Sequence, residues 1–221
     1  MPPRISPDQI PAAPDLSFEI ALWDSGITHI AGIDEAGRGA LAGPVAAAVV
    51  ILPSDRTLIK KLVGVRDSKE MTPRTRMVWT IRLQKVAIAW SVGLASQFDI
   101  DNLGILPATQ LAAQRALNAL PIQPHHLLLD YLFLPDAYQP QTSLVKGDQR
   151  SLSIAAASIL AKTTRDAMLC ELETRYPGYG FNFHKGYGTR EHIKALNKIG
   201  PSPAHRNTFQ PVAAIIKQNE E

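Results

Sequence analysis

Cysteine is nearly absent from this chain, which contains one, Cys170, among its 221 residues. A single thiol excludes an internal disulfide and a metal site built from several thiolates. The apolar neighbours Met168 and Leu169 predict that this thiol is buried and structural. A chain without disulfides suits a reducing compartment, so we expect it in the cytoplasm.

Long hydrophobic runs are also missing. The longest, residues 40–52, contains Gly43 and Pro44 and is too short to cross a bilayer, so we expect no membrane association. Residues 1–15 contain five prolines and lack the pattern of a targeting peptide, which predicts a disordered tail. The remainder, residues 16–221, is long enough for one domain with a substantial core.

Charge is sparse, at 19% of residues, and the net value is only +3, but its distribution is uneven. Residues 60–85 contain eight lysines and arginines against two acids. A second basic stretch is opposed only by Glu191, and its members are Lys185, Arg190, Lys194, Lys198 and Arg206. Such stretches match either a phosphate backbone or a solvated helix face, and charge alone leaves both readings open.

Hydrophobic periodicity predicts an alternation of strands and helices. The predicted strands are residues 28–34, 43–52, 86–96, 126–130 and 142–145. The predicted helices are residues 16–23, 73–85 (with Thr72 as N-cap), 107–120, 151–176 and 189–199. The glycines between the first two strands predict a tight hairpin-like turn. This order implies an α/β fold with a mixed five-stranded sheet and helices on both faces.

Four carboxylates lie where these strands end. Asp34 and Glu35 close the first strand, Asp130 closes the fourth, and Asp148 lies just past the fifth. Ligands of open α/β sheets collect at strand ends, and converging acids repel one another unless a cation offsets them. Hard divalent cations such as Mg²⁺ or Mn²⁺ accept oxygen ligands of this kind.

Two features limit this reading of the acids. An Asp-Glu pair followed by glycines is also common on a solvated loop. In addition, adjacent residues in a regular strand point to opposite faces. Asp34 and Glu35 can therefore share a metal only where the strand twists or gives way to the glycine turn.

Several ordered motifs resemble the type 2 ribonuclease H (ribonuclease HII) family. They are the runs 32–39 and 43–45, Asp67-Ser68-Lys69, Leu129-Asp130, Lys146-Gly147-Asp148, and the runs 155–166, 176–181 and 184–189. The resemblance begins at Gly32 and continues to about Pro211, which leaves out little but the tail.

The resemblance implies an endonuclease that acts on RNA–DNA hybrids and on ribonucleotides embedded in duplex DNA. Family members cut on the 5′ side of the ribonucleotide and leave 3′-hydroxyl and 5′-phosphate ends. The family's catalytic and metal-binding acids map onto Asp34, Glu35, Asp130 and Asp148, with two Mn²⁺ or Mg²⁺ ions. The resemblance also implies a ribonuclease H-like sheet, a C-terminal helical extension from about residue 176, a nucleic-acid partner and a monomeric protein.

Substrate contacts also follow from the resemblance. The ribose-sensing turn maps onto Gly37, Arg38 and Gly39, whose peptide groups can reach a 2′-hydroxyl. Tyr187 matches a tyrosine that stacks on the following deoxyribose, although from the residues alone it is a loop aromatic. The candidates for phosphate or backbone contact are Ser68, Lys69, Ser158 and Lys162.

The remaining polar residues of these motifs have less specific expectations. Lys162, on its own, also fits a snorkelling helix lysine. His184 is expected to be either a substrate contact or structural, whereas His192 and His205 are expected on the surface. Asp166 is expected to form a structural salt bridge.

Some features depart from the family pattern or favour other readings. The bulky run 131–134 after Asp130 replaces small or polar residues, and we expect it to pack beneath or beside the cleft. The C-terminal residues show no clamp-binding motif.

The related type 3 enzymes carry an extra N-terminal domain and usually lack the arginine of the glycine turn. Arg38 and the mere 33 residues before Asp34 therefore favour type 2. The alternative from another class is a hybrid-binding protein without catalysis.

Overall fold

The computed structural model describes Ser6 and residues 10–220. Residues 1–5 and 7–9 of the predicted disordered tail lie outside the described residues. The last residue of that tail, Asp15, donates its backbone N–H to the carbonyl of Arg150 at 3.2 Å. None of the helices in the described ranges combines the length and hydrophobicity that a bilayer crossing needs.

A mixed five-stranded sheet forms the centre of the structure, as predicted. Its strands are β1 (Ile30–Ala36), β2 (Val45–Ile51), β3 (Ala89–Ala95), β4 (His126–Asp130) and β5 (Gln141–Leu144). They lie in the order β3-β2-β1-β4-β5. β2 is antiparallel to both β1 and β3, whereas β4 is parallel to both β1 and β5.

Helices surround this sheet along the chain. They are α1 (Ser17–Asp24), α2 (Leu58–Lys61), α3 (Pro73–Val86), α4 (Gln97–Leu103), α5 (Ile105–Asn118), α6 (Leu152–Arg175), α7 (Phe181–His184), α8 (Arg190–Ile199) and α9 (Val212–Glu220). Two short 3₁₀ turns are formed by Ser68–Glu70 and Gly147–Gln149. Three of the longer helices begin at side-chain caps, where Thr72, Ser151 and Thr189 accept a backbone N–H three residues further on.

The two faces of the sheet are covered by different helices because side chains alternate along each strand. On one face, Ala47 and Val49 of β2 share a cluster of buried side chains with α5. On the other, Ala48 and Val50 of the same strand pack with α3 and α6. This arrangement confirms the predicted α/β class with helices on both faces.

Glycine allows two of these helices to approach the sheet closely. A Cβ at Gly32 of β1 would lie 2.2 Å from the Ser153 carbonyl carbon of α6, and one at Gly93 of β3 would lie 2.1 Å from the Ala112 oxygen of α5. Such distances leave no room for any side chain. The alanine-rich stretch of α6 therefore packs backbone to backbone against β1.

The connection between β1 and β2 is not the tight turn that was predicted. Residues 37–44 form an irregular loop, in which Ala40 and Ala42 pair with Tyr187 and His205. These contacts come from the region that follows α6, where α7, α8 and α9 share a separate apolar cluster with Leu41 and Leu169. The C-terminal region thus supports the loop that follows the two acids of β1.

Other sequence predictions need correction. β1 continues through Ala36 instead of ending at Asp34, and the third strand starts at Ala89 because Val86 still belongs to α3. Four helices were not predicted, namely α2, α4, α7 and α9. Cys170 is exposed rather than buried, because it lies on the outer side of α6.

Candidate metal centre

The parallel pairing of β1 and β4 ends just before the candidate acids. Ile33 and Leu129 form the last pair between these strands. Asp34 and Asp130 are the next residues, and from there β1 continues alone along β2, with Asp34 opposite Ala48. Two carboxylates therefore lie where two neighbouring strands diverge, which is the position that opens a cleft in α/β sheets.

Asp148 reaches the same place through an unusual backbone path. Tyr131, after β4, and Lys146, after β5, both have positive φ angles, of 44° and 54°. Non-glycine residues rarely adopt this conformation, so the surrounding contacts must hold it. One such contact is the Gly147 N–H, which donates to Asp130 Oδ1 at 2.7 Å. Asp148 follows directly in the 3₁₀ turn.

Three acids converge as a result. One carboxylate oxygen each of Asp34, Asp130 and Asp148 lies within 4.8 Å of the others. Asp34 and Asp148 are buried, and Asp130 is partly buried. An all-oxygen group of this size matches the ligand preference of Mg²⁺ and Mn²⁺.

Glu35 lies beside this group without being part of it. β1 stays regular through Glu35, so the side chains of Asp34 and Glu35 point to opposite faces of the strand, as expected of adjacent residues. Its Oε1 accepts a hydrogen bond from Arg38 Nη1 at 3.3 Å. Its Oε2 is buried and has no hydrogen-bond partner among the described residues. An orphaned carboxylate oxygen at this position fits a cation better than a purely structural role.

The pKa values of the acids reflect their crowding. Burial, followed by the charges of Glu35 and Asp130, raises the pKa of Asp34 well above its usual value. Burial and Asp148 raise the pKa of Asp130 to about 7. Burial also raises the pKa values of Glu35 and Asp148, although Arg38 opposes the first shift and Lys69 the second. Bound dications would relieve this repulsion, so the residues present fit a metal site.

Lys69 supplies a cation at the edge of the cluster. Its Nζ lies 3.3 Å from Asp148 Oδ2 and 3.8 Å from Asp67 Oδ1. Burial lowers the pKa of Lys69, but these two carboxylates outweigh burial and raise it overall. The side chain is still 70% exposed. It is therefore also within reach of an anion that enters the cleft.

A cleft of about 470 Å³ opens over this cluster. It brings together three of the four candidate acids and seven of the nine candidate substrate residues, together with Ala36 and Arg76. They are Asp34, Glu35 and Asp130, then Gly37, Arg38, Gly39, Ser68, Lys69, Lys162 and Tyr187.

Two predicted substrate residues do not line this cleft. Ser158 is buried, and its hydroxyl donates to Ser68 Oγ at 2.8 Å. It therefore fixes the position of Ser68 without lining the cleft itself. His184 has its Nε2 2.8 Å from the Tyr179 carbonyl, and its ring stacks on His192. Its observed contacts are thus with the C-terminal region.

Lys162 and Asp166 form one ion-pair network. Asp166 contacts Lys162 Nζ at 2.6 Å and Arg76 Nη2 at 3.0 Å, which is the structural salt bridge expected for it. Lys162 Nζ also lies 5.3 Å from the centre of the Tyr187 ring. The lysine therefore holds the tyrosine at the cleft through a cation–π contact.

The expectation of surface positions for His192 and His205 was wrong. Both are buried, and their Nε2 atoms are 3.1 Å apart. The Ser202 N–H donates to His205 Nδ1, which assigns the ring proton of His205 to Nε2. His205 then donates to His192 Nε2, and His192 Nδ1 donates to the Tyr187 carbonyl at 3.0 Å.

The structure also reveals two buried arginines that the sequence did not single out as site residues. Arg165 donates to the carbonyls of Pro44, Lys185 and Ala42, and Arg206 donates to carbonyls of residues 37, 38 and 43. Arg206 had been counted in a basic stretch, but its side chain is fully buried. In the bulky run after Asp130, Leu132 and Leu134 are buried in the cluster that includes α5, Tyr131 and Phe133 are exposed, and none of the four lines the cleft.

Comparisons of this chain with a family model and with individual relatives agree on one family. The family model described as "Ribonuclease HII" matches residues 31–212. The Ribonuclease HII of Synechococcus sp. (strain JA-3-3Ab) is 51% identical over 90% of this chain and 89% of its own length. That of Chloroflexus aurantiacus is 50% identical over 94% and 99%. The crystal structure of ribonuclease H2 from Pyrococcus horikoshii OT3 superimposes with a TM-score of 0.72 at 26% identity, covering 87% of this chain and 99% of that one.

Proposed function

Because the chain belongs to the ribonuclease HII family, and is thus a metal-dependent endoribonuclease, we propose the following reaction for it. It cleaves the RNA strand of RNA–DNA hybrids and cuts duplex DNA on the 5′ side of embedded ribonucleotides, leaving 3′-hydroxyl and 5′-phosphate ends. The observation that carries this proposal is the convergence of Asp34, Asp130 and Asp148 beside a glycine turn at one cleft.

In this proposal Asp34, Glu35, Asp130 and Asp148 hold two divalent ions, Mg²⁺ or Mn²⁺. Support comes from the all-oxygen donor set, the unpartnered Glu35 Oε2 and the raised pKa values of the acids. When bound, such ions activate water and stabilise the leaving oxygen of a phosphodiester. The acids themselves orient the ions and remain ionised once the ions offset their repulsion.

The glycine turn is proposed to select the ribonucleotide. Gly37 has a φ of 97°, so the turn adopts a conformation that other residues rarely reach, and its backbone lines the cleft without side-chain bulk. Peptide groups in such a turn can hydrogen-bond a 2′-hydroxyl, which is the group that distinguishes RNA from DNA. Tyr187, on the same cleft, is proposed to stack against the neighbouring sugar.

Basic and hydroxyl groups are proposed to bind the substrate backbone. Ser68, Lys69 and Lys162 line the cleft and offer donors to phosphate oxygens. Ser158 is proposed to act indirectly by holding Ser68, and His184 remains a proposed site residue whose observed contacts are structural. We also propose that the protein acts as a monomer, because one chain supplies the whole cleft, and that it works in the cytoplasm.

Cleavage of a labelled duplex with one embedded ribonucleotide tests the proposed function. We expect a single cut on the 5′ side of the ribonucleotide with Mn²⁺ or Mg²⁺ and none with EDTA. Asp34→Asn should lower kcat by about 10³-fold, which corresponds to about 4 kcal/mol of transition-state stabilisation.

A matched substitution provides the control. Asp136 is exposed on the β4–β5 connection, so Asp136→Asn should leave cleavage unchanged. Binding of the duplex without any metal-dependent cut would instead support the alternative, a hybrid-binding protein without catalysis.

A further inference from the structure

Arg206 is a fully buried cation whose hydrogen bonds all go to the backbone of the loop that follows β1. Its Nη1 donates to the Arg38 carbonyl at 2.8 Å, and its Nη2 donates to the Gly37 carbonyl at 2.7 Å. Nε and Nη2 also donate to the Gly43 carbonyl, at 3.1 and 3.0 Å. Among the described residues no carboxylate forms an ion pair with it.

This arrangement makes the arginine and the glycine turn depend on each other. A buried guanidinium costs free energy unless its N–H groups are satisfied, and here carbonyl dipoles satisfy them. Conversely, without the guanidinium the Gly37 carbonyl would keep only the Ala40 N–H at 3.3 Å, and the Arg38 carbonyl would keep no partner among the described residues, so both would turn towards water. The Gly37–Arg38 segment can turn easily, because glycine has few backbone restrictions.

The direction of the carbonyls also fixes the direction of two N–H groups. In a trans peptide the N–H points opposite to the carbonyl. The carbonyl of Gly37 shares its peptide group with the Arg38 N–H, and the carbonyl of Arg38 shares its own with the Gly39 N–H. Both N–H groups therefore point away from Arg206. None of the hydrogen bonds between described residues uses either of them.

The C-terminal segment holds Arg206 firmly in this place. Its own N–H donates to the Leu41 carbonyl at 2.9 Å, and the Gly43 N–H donates to the Ala204 carbonyl at 2.8 Å. His205 pairs with Ala42 in between. The Phe209 ring lies over the guanidinium, with 5.0 Å between Arg206 Cζ and the centre of the ring. These contacts fix the position of Arg206 relative to the loop, so the arginine cannot move together with the turn.

We propose that Arg206 is a positioning residue for ribose recognition: by holding the carbonyls of Gly37 and Arg38, it presents the N–H groups of Arg38 and Gly39 to the cleft as preset donors for a 2′-oxygen. This inference rests on the proposed function of the glycine turn. Arg206 is fully buried and does not line the cleft, so its side chain is out of reach of a substrate there. Its effect is on the choice between ribose and deoxyribose rather than on the metal site.

Binding measurements on the full chain can isolate this effect. Two duplexes are compared that differ in one 2′-hydroxyl, with Ca²⁺ replacing Mg²⁺ and a gel confirming that the duplex stays uncut. The measured quantity is the ratio of the two Kd values, deoxy over ribo. The variants are Arg206→Met, which removes the charge, and Arg206→Lys, which keeps it. Leu196→Ala is the matched control, because Leu196 is buried in the C-terminal apolar cluster and its side chain donates no hydrogen bond to the turn.

We expect the wild type to bind the ribonucleotide duplex more tightly, by about tenfold or more. Arg206→Met should bring the ratio close to one, and Arg206→Lys should restore part of it. Leu196→Ala should lower the Tm and leave the ratio unchanged. A ratio that stays at the wild-type value in a folded Arg206→Met protein would overturn the proposal, and so would an equal loss in Leu196→Ala.

A second measurement applies if neither Arg206 variant folds. In the ¹⁵N-labelled wild type, the guanidinium N–H signals of Arg206 should shift on binding the ribonucleotide duplex and not on binding its deoxy counterpart. Identical signals in the two complexes would contradict the inference. If the wild type shows no preference between the duplexes, the proposed function of the turn fails first, and that outcome is distinguishable from a failure of Arg206 alone.

Discussion

Among single residues, Asp130 reports most directly on the repulsion inside the acidic cluster. Its pKa of about 7 means that the folded protein keeps this proton where an unfolded chain has already lost it. At this carboxyl the folded state therefore binds more protons, so its contribution to the stability of the metal-free protein is lost as the pH rises from about 4 through 7. The buried His192 and His205, with pKa values lowered from 6.5 to about 4, act in the opposite direction from pH 4 up to about 7, because the unfolded chain takes up their protons there.

Thermal unfolding of the wild type and of Asp130→Asn between pH 5 and 8 tests this consequence. Asp130→Asn removes the titrating carboxyl and keeps both histidines, so the difference in Tm between the two proteins reports on Asp130 alone. With EDTA present we expect the Tm of the wild type to fall relative to that of Asp130→Asn across this range, and we expect Mn²⁺ to raise the wild-type Tm at pH 8. A difference in Tm that does not change with pH, together with a wild-type Tm that is insensitive to Mn²⁺, would show that the cluster is not under electrostatic strain.

Arg38 and Tyr187 should matter more for an isolated ribonucleotide than for a long hybrid. A single ribonucleotide offers one 2′-hydroxyl in one register, whereas a hybrid offers many along its RNA strand. We expect Arg38→Ala or Tyr187→Ala to lower kcat/KM about tenfold on the first substrate, equivalent to about 1.4 kcal/mol, and only a few-fold on the second.

Steady-state kinetics on both substrates checks this expectation. Tyr138→Ala is a suitable control, because Tyr138 is a loop aromatic that is 81% exposed and does not line the cleft. Equal losses on the two substrates would mean that Arg38 and Tyr187 serve general binding instead of recognition of the RNA–DNA junction.

At the scale of elements, the sequence predicted best where a local signal decided the structure. β4 was predicted with its observed bounds, because a short apolar run between a proline-containing segment and Asp130 leaves few alternatives. α3 was predicted to within a residue because Thr72 is a strong N-cap, and α6 because its alanine-rich sequence favours a helix. The short α2 and α7, of four residues each, have no such signal.

The errors concern contacts between elements distant in sequence. The loop of residues 37–44 looked like a tight turn, since nothing local shows that Ala40 and Ala42 pair with the C-terminal region. For the same reason His192, His205 and Arg206 read as surface residues, although a long-range contact buries each of them. The positions of the candidate acids were predictable because these residues lie at the ends of strands, whereas the residues that support the glycine turn were not predictable.

The contact between β1 and α6 gives a prediction at this scale. Gly32→Ala places a Cβ 2.2 Å from the α6 backbone, which neither element can accommodate without moving. We expect a loss of about 3 kcal/mol or more in the free energy of unfolding. Gly39→Ala is the control for stability, because a Cβ there meets nothing within 4 Å. Urea titration of both variants measures the difference, and similar midpoints would contradict the packing described for α6.

At the scale of the whole molecule, the structure resolves the two readings of the basic stretches residue by residue. Arg76 and Arg206 are buried and serve the protein's own framework. Lys69 and Lys162 line the cleft, and residues such as Lys194 and Lys198 are exposed on α8. Only the accessible cations can release counterions from a nucleic-acid backbone.

The salt dependence of duplex binding should therefore be set by accessible cations such as Lys69 rather than by the net charge of the protein. For the wild type we expect log Kd to change linearly with log salt concentration. Lys69→Gln should reduce the slope by about one, the amount expected for one lost phosphate contact. Lys85→Gln, a change outside the cleft at the end of α3, should leave it unchanged. The same slope in both variants would remove Lys69 from the proposed interface.

Direct titration of Mn²⁺ into the metal-free protein at pH 8, followed by calorimetry and electron paramagnetic resonance, tests the central claim that folding gathers these acids into a dication site. The account predicts saturable binding that Asp34→Asn, Asp130→Asn or Asp148→Asn each weakens at least tenfold, while Asp136→Asn leaves it unchanged. Mn²⁺ affinity that is indifferent to all three substitutions would contradict it.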